Sequence, residues 1–127
     1  MTSESNDEYL LDTSFLIDLL NGHPDAVELH ETIRGSESTS TVCVYELTKF
    51  EGFSSDCLDG KSVLRLTLGD VRSSGSIYRS LKEDGEKIGE TDTLIGGVAR
   101  SRGMCLVTRD RDFEKIDSLE TEYYSSG

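Results

Sequence analysis

The hydrophobic and polar positions of residues 9–20 form the clearest pattern in the chain, Tyr-Leu-Leu-Asp-Thr-Ser-Phe-Leu-Ile-Asp-Leu-Leu. A short apolar run ends at Asp12, two hydroxyl residues follow, and apolar residues then recur with helical spacing. We predict a buried strand, then Asp12, then a helix capped by Thr13 or Ser14, whose side-chain oxygens can accept hydrogen bonds from first-turn amides. Asp18 falls on the polar side of this helix and is predicted to be solvated.

The rest of the chain alternates between helical and strand patterns. In the first half of the chain we predict a helix from Ala26 to Arg34 capped by Asp25, a strand from Ser38 to Val42, a helical segment through Phe50, and a loop or helical hairpin from Glu51 to Gly60. A strand from Val63 to Leu68 and a helix from Asp70 to Glu86 follow, and the apolar stripe of this helix is Val71, Ile77, Tyr78 and Leu81. The last predicted elements are a helix from Glu90 to Gly103 capped by Thr91, a strand from Met104 to Thr108, a short helical turn from Glu114 to Ile116, and an edge strand from Thr121 to Tyr124.

Two adjacent glycines, Gly96 and Gly97, interrupt the helix that ends at Gly103. Glycine in mid-helix is unfavourable for an isolated helix. We therefore predict that this helix packs closely against the sheet or a neighbouring helix.

The order of the elements predicts an α/β protein, a three-layer α/β/α sandwich with a mostly parallel central sheet. Right-handed crossovers would carry the ends of the strands that precede Asp12 and contain Thr108 to the same edge of that sheet. A length of 127 residues suits one hydrophobic core. We assign residues 1–127 to a single domain, with residues 1–7 flexible.

The net charge of −12 has two explanations. Surplus Asp and Glu can simply form a solvated, repulsive surface. Lysine is also scarce, with five against eight arginines, and this suits a halophilic archaeon, whose salt-rich cytoplasm screens like charges. Under either explanation, bulk charge cannot hold nucleic acid, so any such binding must be local or metal-bridged.

The apolar runs also bear on the cellular compartment. None approaches the ~20 residues of a membrane span, and the first residues lack the basic-then-apolar order of a signal peptide. We expect a cytoplasmic protein that does not associate with membranes. The cysteines Cys43, Cys57 and Cys105 are far apart and predicted to be buried, reduced thiols rather than zinc ligands.

Four acidic residues share a place where strand ends meet helix starts: Asp12 after the first strand, Glu46 and Asp92 each at the start of a helix, and Asp110 after a late strand. Each also has a plainer explanation, such as pairing of Glu46 with Lys49 or interaction of Asp92 with the helix dipole. Together in one crevice, four carboxylates would raise one another's pKa unless hard cations neutralised them. Oxygen ligands in that number suit Mg²⁺ or Mn²⁺ rather than zinc, and such sites serve phosphoryl chemistry.

Four segments of the chain together resemble the motifs of PIN-domain ribonucleases, and most of all the short VapC-type toxins. The segments are Leu10–Ile17, the Tyr45-Glu46-Leu47 junction, Thr91–Ala99 and Leu106–Phe113. The resemblance spans about residues 10–124, and the order and spacing of the motifs make it more specific than any one motif. The chain departs from the family pattern at Gly96-Gly97, where alanines are commoner, which puts the rigidity of the third motif in question.

The resemblance implies roles for particular residues. Asp12, Glu46, Asp92 and Asp110 would be the catalytic and metal-binding acids, with Thr13 and Thr108 as supporting hydroxyls. Asp112 is either an auxiliary acid or a plain helix cap, and we favour the cap. The resemblance also implies Mg²⁺- or Mn²⁺-dependent endonucleolytic cleavage of RNA, a small VapB-like antitoxin partner whose tail lies in the active-site groove, and a homodimer.

Arginines flank the third and fourth acidic motifs at Arg100, Arg102, Arg109 and Arg111. The first two end a helix, where cations favour the negative terminus. Arg109 and Arg111 alternate with acids along a loop at the proposed catalytic edge. We predict that at least one of them binds a phosphate of the RNA.

Three other protein classes are alternatives. A catalytically inactive PIN fold would act only as an interaction module. A phospho-acceptor receiver domain would need an acceptor aspartate, for which Asp70 is a weak candidate, and a lysine that the chain does not supply after its last strand. A phosphatase of the haloacid-dehalogenase type would need an Asp-x-Asp sequence, which Asp12-Thr13-Ser14 does not provide.

Overall fold

The computed structural model describes residues 8–124, and the predicted flexible segment 1–7 lies outside them. Five strands form one sheet: β1 (Tyr9–Leu11), β2 (Glu37–Ser40), β3 (Ser62–Leu64), β4 (Cys105–Thr108) and β5 (Thr121–Tyr123). Five α-helices accompany them: α1 (Thr13–Leu20), α2 (Pro24–Ile33), α3 (Thr41–Leu47), α4 (Leu68–Glu83) and α5 (Glu90–Arg102). Two short 3-10 helices cover Ser55–Leu58 and Arg111–Lys115.

The strand order is β3-β2-β1-β4-β5, and all four pairings are parallel. The order reverses beside β1, because the chain first moves outward to β3 and then returns to the other side of β1 as β4. Right-handed crossovers consequently place α1, α2 and α3 on one face of the sheet and α4 and α5 on the other. The predicted three-layer α/β fold is confirmed, and its strand ends open on a crevice between β1 and β4.

The central strands lie at the heart of the hydrophobic core. Leu10 and Leu11 pair in register with Leu106 and Val107, and all four side chains are fully buried. Helices contribute the other large buried groups, among them Phe15, Leu16, Ile77, Leu81, Ile95 and Val98. Burial on both faces explains why the sequences of β1 and β4 are continuous apolar runs rather than alternating ones.

Several predicted boundaries are wrong. The helix predicted from Ala26 begins at Pro24, because proline suits the first helical position and no side chain caps the helix. β2 ends at Ser40, whose hydroxyl accepts from the Cys43 amide and starts α3 earlier than predicted. The clear alternation after residue 62 yields only three residues of strand, since Thr67 caps α4.

Two side chains of the predicted apolar stripe on α4 are exposed, and a predicted buried thiol is only half-buried. Ile77 and Leu81 face the core, whereas Val71 and Tyr78 are exposed. Cys43 and Cys105 are buried, and Cys57 is intermediate.

None of the helices within residues 8–124 has the length and apolarity of a membrane span.

The paired glycines of α5 lie against α4, as predicted. A Cβ atom on Gly97 would come within 2.8 Å of the Asp70 carbonyl oxygen and the Ser74 amide nitrogen. A Cβ on Gly96 would meet the ends of two flexible side chains, Ile116 Cδ1 at 2.8 Å and Ile77 Cδ1 at 3.6 Å. Close approach of the two helices therefore requires glycine at position 97.

A buried carboxylate ties α4 to the end of α5. Asp70 is 1% exposed, and its oxygens accept from the Thr67 amide (2.9 Å), the Arg102 guanidinium (2.9 Å) and the Ser101 hydroxyl. Burial alone would raise the pKa of Asp70, but the hydrogen bonds from Arg102 and Ser101 outweigh it and hold the pKa well below its usual range. Arg102 therefore binds a side chain rather than only favouring the helix terminus.

We expect Asp70→Asn to lower the free energy of unfolding at pH 7 by about 2–3 kcal/mol, since it removes one charge of a buried pair. Because the folded pKa is depressed, this stabilisation is present above the unfolded pKa, about 3.9, and is lost as pH falls toward the folded value. Urea unfolding at several pH values measures the difference, with the exposed carboxylate change Glu83→Gln as control. Equal losses for the two variants would contradict this role.

Candidate metal and active site

Asp12 is the central acid of the crevice. It follows β1, its amide donates to the Val107 carbonyl (3.0 Å), and its side chain is 4% exposed. Asp12 Oδ2 accepts from the hydroxyls of Thr108 (2.6 Å) and Ser14 (3.0 Å). Burial raises the pKa of Asp12, and these two hydroxyl bonds only partly oppose it. The predicted support from Thr108 is therefore a direct hydrogen bond to the carboxylate.

The start of α1 differs from the predicted cap. Asp12 itself occupies the N-cap position, without a side-chain cap bond to the helix. Thr13 and Ser14 instead turn their hydroxyls toward acids, Thr13 to Glu46 and Ser14 to Asp12. Thus the hydroxyl residues after the first strand serve the acidic site rather than the helix amides.

Glu46 lies in the last turn of α3, not at the start of a helix as predicted. Both of its carboxylate oxygens are held by threonines from other helices: Oε1 accepts from Thr13 and Oε2 from Thr91, each at 2.6 Å. Thr91 was predicted to cap α5, but Gly89 takes that position. A threonine one residue before a candidate acid is the signal that could have suggested this role.

Asp92 lies in the first turn of α5 and is half-buried. Within residues 8–124 its carboxylate accepts no hydrogen bond and forms no ion pair. Burial raises the pKa of Asp92 to about 7, and the negative charges of Asp12, Asp110 and Glu46 add to the effect. The predicted acids are therefore near enough to repel one another, as four carboxylates in one crevice should.

Asp110, rather than the predicted Asp112, caps the short helix that follows β4. Asp110 is the N-cap of the 3-10 helix Arg111–Lys115, where Oδ1 accepts from the Asp112 amide at 2.9 Å. Asp112 is not the cap: it is exposed, with Lys115 Nζ 3.6 Å from its carboxylate. Its charge is a minor contribution to the raised pKa of Asp92.

Three side chains beside the crevice differ from what the sequence suggested. Asp18, predicted to be solvated, is 7% exposed and accepts from the Tyr124 hydroxyl at 2.5 Å. Arg109 extends to Asp18, with Nη1 3.4 Å from Oδ2. Arg111 pairs with Glu114 (2.8 Å) and lies over the Tyr123 ring, 4.0 Å from its centroid.

The donor set fits a hard divalent cation in its chemistry. Burial raises the pKa of Asp92, the charges of Asp12, Asp110 and Glu46 raise it further, and a cation bound among these oxygen donors would relieve that repulsion. As the side chains stand, no three His, Cys, Asp or Glu residues in the described part of the chain are grouped as a formed metal site. Binding would therefore require the acids to close around the ion.

The family model described as "PIN domain" matches residues 9–119. The chain belongs to the PIN-domain family. This match includes all four acids and both supporting threonines, so the resemblance drawn from the motifs is confirmed over nearly the whole chain.

Curated PIN-domain relatives are VapC proteins. The tRNA(fMet)-specific endonuclease VapC of Shigella flexneri is 36% identical over 103 residues, which cover 79% of this chain and 73% of the relative. Ribonuclease VapC2 of Haemophilus influenzae is 29% identical over 131 residues, covering 91% of this chain and 96% of the relative. The 36% identity to the Shigella protein, over 79% of this chain, places the chain with the VapC group of PIN domains.

Solved structures agree on the fold. VapBC from Salmonella typhimurium, bound to DNA, superposes with a TM-score of 0.81 and 23% identity, covering 94% of this chain and 99% of that one. VapBC2 from Rickettsia felis, bound to a promoter DNA fragment, gives a TM-score of 0.80 and 22% identity, covering 92% and 98%. Both likenesses show that the PIN fold extends over almost all of the chain.

The contact between Thr91 and Glu46 makes a prediction about metal binding. We expect Thr91→Val, which keeps the shape but removes the donor, to weaken Mn²⁺ affinity by about tenfold, because hydroxyls that orient a ligand carboxylate contribute to affinity. The Mn²⁺-dependent shift in melting temperature measures this. Thr32→Val is the control, since the Thr32 hydroxyl bonds only to its own helix at the Glu28 carbonyl. Unchanged Mn²⁺ affinity would show that Thr91 does not position Glu46.

Proposed function

We propose that this PIN-domain protein is a metal-dependent endoribonuclease, the toxin of a toxin–antitoxin pair, that hydrolyses RNA phosphodiester bonds. The observation that supports this most is Asp92, a half-buried carboxylate without a partner whose pKa is raised to about 7 by burial and by neighbouring acids. Such a cluster is costly to keep unless a cation or reacting group uses it. The names of the VapC relatives, a tRNA(fMet)-specific endonuclease and a ribonuclease, support the substrate class.

The metal would be Mg²⁺ or Mn²⁺, held by Asp12, Glu46, Asp92 and Asp110. When bound, the ion would activate water for attack and would neutralise charge that develops on the phosphate. The chain's own residues orient the ligands: Thr108 and Ser14 fix Asp12, while Thr13 and Thr91 fix Glu46. These hydroxyls donate to the carboxylates, so they favour the ionised, metal-binding state of the acids.

The partner would be a VapB-like antitoxin, since both structural neighbours described above are VapBC proteins. The chain offers an apolar groove of about 480 Å³ between α1 and the segment after α3. Leu20 and Phe50 both line it and are 59% and 55% exposed, and apolar side chains that share one groove are typical of a protein interaction site. An apolar segment of the antitoxin would cover these side chains. Homodimerisation remains a prediction.

The alternative functions are weaker. Asp70, the weak candidate for a receiver-type acceptor, is buried and held by Thr67, Ser101 and Arg102, so no phosphoryl donor reaches it. An inactive PIN module would have no need for the threonines that hold Asp12 and Glu46 in place. Catalysis therefore accounts for more of the site than an interaction role alone.

Mapping the 5′ ends of total RNA after the protein is produced in cells tests the proposed function. We expect discrete new ends that carry a 5′-phosphate, and we expect them to vanish in the Asp12→Asn variant. An RNA profile identical for the parent and Asp12→Asn proteins, at equal protein levels, would contradict the proposal. The sequence of the cut sites would also identify the RNA.

A further inference from the structure

Asp18 is a buried carboxylate outside the acidic crevice, and it contacts Arg109, one of the arginines that lie at the edge of the crevice. Asp18 lies on α1, 7% exposed, and its Oδ2 accepts from the Tyr124 hydroxyl at 2.5 Å. The same oxygen lies 3.4 Å from Arg109 Nη1. Buried carboxylates are retained only when they are paired, and here both partners come from the far end of the chain.

Tyr124 fixes Asp18 rather than simply covering it. The Tyr124 ring packs edge-on against Phe15, with centroids 5.1 Å apart, and against His23 at 6.1 Å. Burial raises the pKa of Tyr124, and the Asp18 charge adds to this, so the phenol stays protonated as a donor. The Asp18 carboxylate is consequently held in one orientation by a rigid aromatic neighbour.

Arg109 is tethered at both of its ends. Its amide donates to Ser14 Oγ at 3.3 Å, and Ser14 in turn donates to Asp12. Its guanidinium lies at Asp18, six residues further along the chain than Asp12 and therefore about 9 Å further along the helix axis. The Arg109 side chain remains 44% exposed, and its contact with Asp18 is an ion pair through Nη1 rather than a two-donor hydrogen-bonded pair.

The other flanking arginines are engaged elsewhere. Arg111 is held by Glu114 and the Tyr123 ring, Arg102 by Asp70, and Arg100 donates to the Asp117 carbonyl at 3.1 Å. Within residues 8–124, Arg109 is thus the member of this group whose guanidinium forms an ion pair but donates no hydrogen bond, and its backbone amide lies against Ser14 beside Asp12. The prediction that at least one arginine binds phosphate therefore narrows to a single residue.

We propose that Arg109 binds the RNA phosphate next to the cleaved one, and that Asp18, fixed by Tyr124, is the residue that positions it. This inference rests on the proposed endoribonuclease function. An exposed arginine loses much side-chain freedom when it binds a phosphate, and an arginine already held in place loses less. A planar guanidinium can also bind phosphate through two donors at once, and the Arg109 side chain is exposed enough to reach a ligand.

The direction in which Asp18→Asn changes RNA affinity distinguishes positioning of Arg109 from simple charge repulsion of the RNA. If Asp18 acted only as one more negative charge on an acidic protein, Asp18→Asn would tighten RNA binding. If Asp18 positions Arg109, the same substitution weakens binding, because the charge that holds the guanidinium is lost while the shape of the side chain is kept. The two expectations differ in direction, not only in size.

The experiment measures the affinity of the full-length protein for a short fluorescein-labelled single-stranded RNA in Ca²⁺, by fluorescence anisotropy over a range of salt concentrations. We expect Arg109→Ala to raise Kd by about tenfold and to lower the salt slope by about one. Asp18→Asn and Tyr124→Phe should raise Kd by smaller factors in the same direction. The double variant Asp18→Asn/Arg109→Ala should bind as Arg109→Ala alone, because Asp18 acts through Arg109.

A matched pair elsewhere provides the control. Glu31 on α2 and Arg34 at its C-cap form an exposed ion pair, 3.5 Å apart, and Arg34→Ala and Glu31→Gln should leave RNA binding near the parent value. Should Asp18→Asn not fold, as its melting curve would reveal, Arg109→Ala and Tyr124→Phe still decide the matter.

Three results would overturn the inference: RNA binding by Arg109→Ala as tight as by the parent, tighter binding by Asp18→Asn, or a loss from Asp18→Asn that persists in full without Arg109. Each of these leaves the proposed function standing if the parent still cleaves RNA in Mg²⁺ or Mn²⁺. A parent protein that neither binds nor cleaves RNA would overturn the proposed function together with this inference.

Discussion

Asp92→Asn is expected to reduce RNA cleavage by at least about a hundredfold, because loss of an outer residue that merely orients a metal ligand already costs ten- to a hundredfold. The same substitution is expected to raise the melting temperature of the metal-free protein at pH 8 by about 3 °C or more. The two effects have one cause. Under the proposed function the Asp92 carboxylate would bind the cation, whereas without a cation its burial and the charges of the neighbouring acids disfavour its ionised form.

The pH dependence follows from the raised pKa of Asp92. The unfolded chain ionises this group near its ordinary value of about 3.9, whereas the folded protein retains the proton to about pH 7. Between these values the native state binds more protons, so its stability falls as pH rises. The melting temperatures of parent and Asp92→Asn proteins should therefore nearly coincide at pH 4 and diverge up to pH 8.

Differential scanning fluorimetry with and without Mn²⁺, together with an RNA cleavage assay, measures both effects. Mn²⁺ should stabilise the parent and have little effect on Asp92→Asn. Glu90→Gln is the control, since Glu90 is an exposed acid in the same first turn of α5. Full RNA cleavage by Asp92→Asn would show that Asp92 is not part of the catalytic site. A difference in melting temperature between the two proteins that did not change with pH would show that ionisation of Asp92 does not destabilise the fold.

Gly97→Ala is expected to lower the free energy of unfolding by about 2–4 kcal/mol and the melting temperature by roughly 10 °C. The added Cβ would lie 1.9 Å from Ser74 Oγ and 2.8 Å from the Asp70 carbonyl oxygen and the Ser74 amide nitrogen. Rotation of Ser74 could relieve the first overlap but not the two backbone contacts. Helices α4 and α5 would have to separate, and Asp92 is carried on α5.

Gly96→Ala is the matched control for this prediction. Its Cβ would meet only Ile116 Cδ1 within 3.0 Å, at the flexible end of a side chain, and alanine favours the helix by about 1 kcal/mol. We expect Gly96→Ala to change the free energy of unfolding by less than about 1 kcal/mol. Thermal denaturation of both variants decides the question, and equal melting temperatures for Gly96→Ala and Gly97→Ala would show that close helix packing is not the reason for the glycine.

The sequence predicted the fold best where a pattern of buried residues and the order of the elements along the chain both indicated the same arrangement. The apolar runs of β1 and β4 predicted adjacent parallel strands, and their ends brought Asp12 and Thr108 within 2.6 Å of each other. The Gly96-Gly97 pair predicted close packing, which the contacts of Gly97 confirm. Such features depend on local pattern and connectivity, which a sequence displays directly.

Features that depend on partners distant in sequence were missed. Asp18 has the helical spacing of a solvated residue, and only the folded chain brings Tyr124 and Arg109 to it. Thr91 resembles a helix cap by position, yet its hydroxyl is taken by Glu46 from another helix. Hydrophobic periodicity predicts which face of a helix a side chain occupies, but it does not identify the residue that this side chain contacts. The wrong predictions therefore concern polar residues that form hydrogen bonds to partners distant in sequence.

The metal dependence of RNA cleavage by the purified protein tests the central claim most directly. Total RNA is incubated with the parent protein in Mg²⁺, in Mn²⁺ and in excess EDTA, and products are counted by their 5′-phosphate ends. We predict discrete cleavage with either cation and none in EDTA, restored when the cation is added back in excess. Cleavage that continues unchanged in EDTA would contradict a mechanism built on Asp12, Glu46, Asp92 and Asp110.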